Sequence, residues 1–290
     1  MNEYSISYEA INNYKEPVTE AIFEFMVLPC NDDSQITVDF SFDNSLGETI
    51  FQYRNVFGFQ VTRIRTDKSF DKLAFSLKAK VRKRNAISTH TTTTSSIDEE
   101  IILHSSDFYL DNFLYLKKTP FTAMPEKFQE KILKKASDQP ISAYLQDLNH
   151  HVGNLITLQK ESKSLENTIE DILESGKGVS QDFAHLFIAI CRANGVPARF
   201  VSGYLNEGLD YSSYATMHAW AEALVPGYGW VGYDPANIKK VDVNYIKVAH
   251  GVDYRDCSPI KGVIKTKNSS AHDTFHRVEV IEQQSKTLSQ

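Results

Sequence analysis

The stretch GVSQDFAHLFIAICRANGVPARFVSGY (178–204), followed by MHAWAEALV (217–225), PGYG (226–229) and WVGYDP (230–235), decides how the chain folds. From Ser180 to Asn194 it is apolar almost all round, with Phe183, Ala184, Leu186, Phe187, Ile188, Ala189, Ile190, Cys191 and Ala193. A helix of that composition is buried on every side. Gly195 stands where a left-handed cap ends a helix, and Pro197 two residues on prevents its continuation. Residues 198–205 then read as a strand, 217–225 alternate with period two, 226–229 turn, and 230–234 return as a strand stopped by Pro235. The pattern predicts a central helix packed on an antiparallel sheet.

Toward the amino terminus the signals become those of strands. Residues 19–28 are apolar and aromatic, 36–42 alternate with period two, and 55–61 and 72–81 continue the pattern. This predicts a β-sandwich-like domain over 1–105 and a helix-on-sheet core over 106–290, an α+β protein. A Thr/Ser-rich stretch, 89–96, reads as a loop or linker. Helical spacing follows at 126–137, with Phe128, Ile132 and Leu133 as its stripe, and again at 143–158 and 164–174.

Composition removes several function classes. The 290 residues carry 31 Lys+Arg against 37 Asp+Glu, a formal net charge of −6, which excludes a generally basic nucleic-acid binder. Lys78, Lys80, Arg82 and Arg84 fall on one strand face and read as a solvated sheet surface. The 3 cysteines, Cys30, Cys191 and Cys257, exclude a disulfide framework and a Cys-rich zinc site. Met1 to Pro17 has no basic-then-apolar signal pattern, and no run of about 18 apolar residues occurs, so no membrane partner and a cytoplasmic location are expected. His150-His151 and the pair His272 and His276 lack a partnering Cys or carboxylate in a ligand motif, so no metal is expected. Without a Gly-rich phosphate loop or dinucleotide fingerprint, no cofactor is expected either. The oligomeric state is not legible.

Chemistry concentrates at three positions. Ser180 opens the buried helix, where free backbone N–H groups and the positive dipole end suit a nucleophile or an anion. His218 and Asp234 follow on strands, in the order nucleophile, base, orienter. Each alone has a plain structural reading: an N-cap serine with Asp182 favouring the dipole, a structural strand histidine, a turn aspartate before proline. To meet, His218 and Asp234 must share a sheet face, so opposed residue numbers in the hairpin must sum to an even number, as when 224 pairs with 230 or 225 with 229; this predicts an odd-length loop or a bulge around Pro226–Gly229. His185, five residues into the helix, reads as a core histidine. Cys191 lies about 16 Å down the axis from Ser180 and reads as a small hydrophobe.

Four motifs in order, GVSQDFAHL (178–186), GVPARFVSGY (195–204), MHAWAE (217–222) and GWVGYDPAN (229–237), resemble the transglutaminase-like superfamily. More narrowly, they resemble its bacterial branch described as cysteine proteases with a β-rich amino-terminal domain. The resemblance is good from about 145 to 250. It implies a papain-like arrangement in which His218 is general base and acid, Asp234 orients it, and Gln181 and Trp220 support the site or line its pocket. It also implies acyl transfer on a protein or peptide amide through a covalent acyl-enzyme, with hydrolysis favoured over cross-linking. The departure is at residue 180, where the family has cysteine and this chain has serine. A serine hydroxyl stays protonated near neutrality and sits in a frame set for sulfur, so little turnover is expected of the chain as written. An engineered change, a natural inactive relative and a true serine variant all fit. The alternative class is a non-catalytic protein that binds peptides through the same cleft.

Overall fold

A computed structural model describes residues 2–84, 96–159, 166–208, 217–267 and 272–283. In chain order the strands and helices are β1 (Asn2–Val18), β2 (Glu20–Phe25), β3 (Gln35–Asn44), β4 (Ile50–Arg54), β5 (Gln60–Thr66), β6 (Phe70–Lys83), α1 (Ser96–Leu103), α2 (Ser106–Leu116), α3 (Ile141–Leu155), β7 (Thr157–Leu158), α4 (Ile169–Ser175), β8 (Lys177–Gly178) and α5 (Ser180–Ala193). They continue as β9 (Ala198–Leu205), β10 (His218–Val225), β11 (Gly229–Asp234), β12 (Lys239–Lys240), β13 (Tyr245–Gly251), α6 (Tyr254–Cys257), β14 (Ile260–Lys265) and β15 (His272–Gln283). The protein is α+β, strand-rich at its amino terminus and helix-on-sheet beyond it.

Two four-stranded sheets, β15-β1-β6-β3 and β14-β2-β5-β4, form the strand-rich part. The alternation in β1 buries Tyr4, Ile6, Tyr8 and Ala10, and that in β6 buries Leu73, Phe75, Leu77, Ala79 and Val81. The sheets meet through stacked rings, Phe25 of β2 lying 3.7 Å from Phe75 of β6. Lys78, Lys80 and Arg82 are exposed on the other face of β6, where Arg82 pairs with Glu3, as expected of a solvated surface. Residues 260–265 and 272–283, which the 106–290 division assigns to the core, instead complete these sheets. β14 pairs with β2 and β15 with β1 over its whole length. Each of those edges would otherwise present unpaired backbone groups.

The core sheet has the order β12-β11-β10-β9-β13, antiparallel throughout. Tyr233, paired with Ala221, stacks on Phe187 of α5 at 5.5 Å. Ala219, Ala221 and Ala223 therefore face the helix, and their small side chains let it approach closely. The helix is buried from Gln181 to Arg192. It ends as expected, with Gly195 left-handed at φ 72° and Val196 N–H returning to the Cys191 carbonyl at 3.0 Å.

The helix expected at 126–137 is only a 3₁₀ segment, Glu126–Lys131. The rest is extended because Asn194 beyond the end of α5 satisfies its backbone, accepting from Lys135 N–H at 3.0 Å and donating to the Leu133 carbonyl at 3.0 Å. The 143–158 helix spans Ile141–Leu155, and Leu158 instead pairs with Gly178 in a short parallel ladder. The 164–174 helix begins at Ile169, after a Thr168–Asp171 capping box. Residues 89–95 of the expected linker lie outside the described residues, and Ser96 opens α1. No helix among the described residues is long and apolar enough to cross a membrane.

Candidate active site

The segment leading into α5 is fixed before the helix begins. Leu158 pairs with Gly178, and Gln159 N–H donates to the Gly178 carbonyl at 2.8 Å. Gly178 has no room for a side chain: a Cβ would lie 2.7 Å from Asp182 Cβ. Asp182 is 1% exposed, and its carboxylate accepts from Val179 N–H at 2.9 Å and from Asn167 at 3.4 Å. Burial outweighs those donors and raises its pKa above the ordinary carboxylate range. Asp182 thus closes the helix start, leaving Ser180 as the first helical residue, half-buried and turned toward β10. Ala219 N–H donates to Ser180 Oγ at 3.3 Å.

The β10–β11 hairpin sets the other two positions. Leu224 pairs with Trp230 and Val225 with Gly229, an even-sum register that places His218 and Asp234 on the same face. Its three-residue loop carries Gly227 at φ 73°, and Gly229 follows at φ 98°, both conformations that glycine adopts without strain. His218 Nε2 lies 2.7 Å from Asp234 Oδ2, with the imidazole 16% exposed and the carboxylate fully buried. The structure therefore brings His218 against Asp234, and Ser180 against Ala219, the residue beside His218.

Asp234 is held by more than the histidine. Oδ2 also accepts from Asn237 Nδ2 at 2.8 Å and Tyr245 Oη at 2.8 Å, and Oδ1 accepts from Ala236 N–H at 3.1 Å and Asn237 N–H at 3.3 Å. Burial alone would raise its pKa, but the His218, Asn237 and Tyr245 contacts prevail and hold the carboxyl below its ordinary value. Asp234 is an anion at neutral pH, suited to fix the imidazole ring and stabilise its protonated form.

Trp220, two residues along the same face, is 1% exposed and packs edge-on against Tyr245 at 5.4 Å. Room for its ring comes from Gly203, opposite His218, where a Cβ would lie 2.5 Å from Trp220 Cη2. Gln181 is buried at 6% exposure beside Ser180. Next along this face of β10 comes Glu222, bonded to Arg199 at 2.6 Å and to Lys247 at 2.7 Å. Burial acts against its ionisation, yet the two cations depress its pKa to about 2.

The other sequence candidates fall elsewhere. His185 is fully buried, stacked on Phe121 at 5.5 Å, and its Nε2 accepts from Tyr254 N–H. Burial drives its pKa down to about 3, so it is a neutral core residue. Cys191 is likewise buried, which raises its thiol pKa. His151 contacts the Lys131 carbonyl and His276 the Tyr8 hydroxyl, on different parts of the fold. Tyr245 and Asn237 were not singled out from sequence. Asn237 lies within a quoted motif, whereas Tyr245 becomes visible only once β13 is known to flank β9.

Residues 126–235 match the transglutaminase-like superfamily, and residues 4–82 match the bacterial transglutaminase-like N-terminal region. The chain thus carries a transglutaminase-like core preceded by a bacterial transglutaminase-like N-terminal region. An uncharacterised protein of Mycobacterium tuberculosis is 35% identical over 147 residues, 46% of this chain and 45% of that protein. The protein-glutamine gamma-glutamyltransferase of Pseudomonas aeruginosa is 30% identical over 112 residues, 36% of this chain and 17% of that enzyme. The matched stretches thus span less than half the length of these relatives. In fold, the chain is similar to a Cytophaga hutchinsonii protein described as a candidate cysteine protease, with a TM-score of 0.74 at 20% identity, covering 98% of this chain and 92% of that one.

Proposed function

We propose that the site performs acyl transfer on an amide or peptide carbonyl of a protein or peptide, with His218 as general base and acid, Asp234 as its orienter and residue 180 as the nucleophile position. The observation that carries this reading is the 2.7 Å contact between His218 Nε2 and the buried Asp234 carboxylate. It fixes the ring by one nitrogen and leaves Nδ1 to exchange a proton with the group at the start of α5. His218 takes the proton as the nucleophile attacks the carbonyl carbon, then returns it to the departing amine. The acyl group remains on residue 180 until water or a second amine, deprotonated by the same imidazole, releases it. Ser180 N–H, in the first helical turn where no intrahelical acceptor exists, is the proposed oxyanion donor.

Serine at this position makes the chain a poor catalyst. Its hydroxyl carries no charge near neutrality, and a misplacement of about 1 Å costs about 10²-fold. Ser180→Cys supplies a thiol that the helix start and His218 favour as thiolate. Mass spectrometry after exposure to an activated acyl ester tests this directly. The expected result is a slow acyl adduct on residue 180, formed about 10²-fold faster in Ser180→Cys and lost in Ser180→Ala and His218→Ala. An adduct that survives both alanine variants, or a Ser180→Cys protein that acquires no acyl group, overturns the proposal. The second outcome favours the non-catalytic, peptide-binding reading.

A further inference from the structure

We infer that Tyr245 is a positioning residue for the His218–Asp234 pair, and that the N-terminal sheets hold it there through Lys83 and Gln35. The inference rests on the base-and-orienter reading of those two residues. Tyr245 is 2% exposed at the first position of β13. Its hydroxyl donates at 2.8 Å to Asp234 Oδ2, the oxygen that also faces His218 and Asn237. With three partners on one oxygen, the carboxylate cannot rotate without straining all of them. The Tyr245 ring closes against Trp220 and lies 6.1 Å from the His218 ring, so one side chain packs behind the imidazole and anchors its partner.

The core sheet fixes Tyr245 only in part. Tyr245, Ile246 and Lys247 pair with β9, but the register shifts between Lys247 and Ala249, so this three-residue ladder is offset from the rest of β13. Two side chains from the N-terminal region take up the backbone groups there. Gln35, fully buried at the start of β3, donates to the Lys247 carbonyl at 2.8 Å and accepts from Lys247 N–H at 2.9 Å. Lys83, 6% exposed at the end of β6, donates to the Tyr245 carbonyl at 2.9 Å and to Gln35 Oε1 at 3.3 Å. Burying an ammonium is costly unless it is well bonded, and this one is directed at the residue that braces Asp234. Asp32, Lys247 and Glu222 are the charges around Lys83, and Asp242 flanks Tyr245.

Nuclear magnetic resonance of the full-length chain with ring-¹⁵N histidine tests the inference without requiring turnover. The short imidazole–carboxylate bond gives a far-downfield ring N–H signal, assigned by its loss in His218→Ala. Acid removes the signal once the Asp234 carboxylate takes up a proton and no longer accepts from the ring as an anion. In Tyr245→Phe, Asp234 has lost a donor to its charged form, so the signal disappears at a pH about one unit higher. Gln35→Ala shifts it in the same direction by less. Tyr204→Phe, which removes a 2.6 Å bond to the Val27 carbonyl outside the pair, lowers the melting temperature and leaves the titration in place. No downfield signal in the parent chain overturns the base-and-orienter reading itself. A signal that titrates identically in folded Tyr245→Phe overturns the positioning role. A shift in Tyr245→Phe with none in Gln35→Ala overturns the part assigned to the N-terminal sheets.

Discussion

Replacing Glu222 with glutamine removes one charge and almost no volume, so it isolates an electrostatic effect. Glu222 bonds to Arg199 at 2.6 Å and to Lys247 at 2.7 Å, its side chain only 13% exposed. Its pKa falls from an ordinary 4.5 to about 2. At about 1.4 kcal/mol per unit, that shift stabilises the fold by about 3 kcal/mol. The sign follows from the depressed folded value. The contribution is complete above the unfolded pKa, near 4.5, and is lost as pH falls toward about 2. At pH 7, Glu222→Gln leaves two largely buried cations, Arg199 and Lys247, sharing a neutral amide and is expected to cost about 3 kcal/mol, or about 6 °C in melting temperature. Urea unfolding of parent and variant at pH 7, 5, 4 and 3 measures the difference, which should be constant down to about pH 5 and shrink below it. A difference under about 0.5 kcal/mol at pH 7, within the range of an ordinary surface change, would refute the reasoning. So would one that persists undiminished at pH 3.

Substitutions at two further positions probe the supports of the site. Arg192, 6% exposed near the end of α5, donates to the carbonyls of Tyr115, Lys117, Ala198 and Val252 and to the Thr122 hydroxyl. Arg192→Met leaves those acceptors unmatched and should cost about 4 kcal/mol in chemical denaturation, with Arg192→Lys intermediate because an ammonium lacks the planar fork. Gly203→Ala places a Cβ 2.3 Å from the Ile246 carbonyl oxygen and 2.5 Å from Trp220, so β13 or the tryptophan must move. The expected loss is about 3 kcal/mol with altered Trp fluorescence, and a variant as stable as the parent would show that the strands yield more readily than the geometry allows.

Local signals carried the reading of the core because the chemistry there is local. The all-round apolar run of α5, the Gly195–Pro197 stop and the glycines of the 226–229 loop each act within a few residues. The hairpin register follows from that loop, and its even sum puts His218 and Asp234 on one face. The extended path at 132–136 was not legible, since a helical stripe over 126–137 gives way to bonds from Asn194. Tyr4, Ile6 and Tyr8 alternate as a strand should, but Ser5 and Ser7 between them and Glu3 and Glu9 beside them leave the segment without a continuous apolar run. Tyr245 was missed because β13 joins the sheet beyond β9, away from the β10–β11 hairpin it serves. Neither its own neighbours nor its spacing from Asp234 carries that information.

The pairing of β1 with both β6 and β15 also bears on how the chain can be made. β1 and β6 can zip together early, but the strand that seals the other side of β1 is synthesised about 200 residues later, a delay of roughly 10–40 s. During that interval β1 offers an open edge suited to pairing with another chain. The Glu and Ser residues between its apolar positions make the exposed edge less prone to do so. The Gln35 and Lys83 contacts to β13 likewise wait for residues 245–247, so the first region made cannot complete its hold on the candidate site until the core has formed.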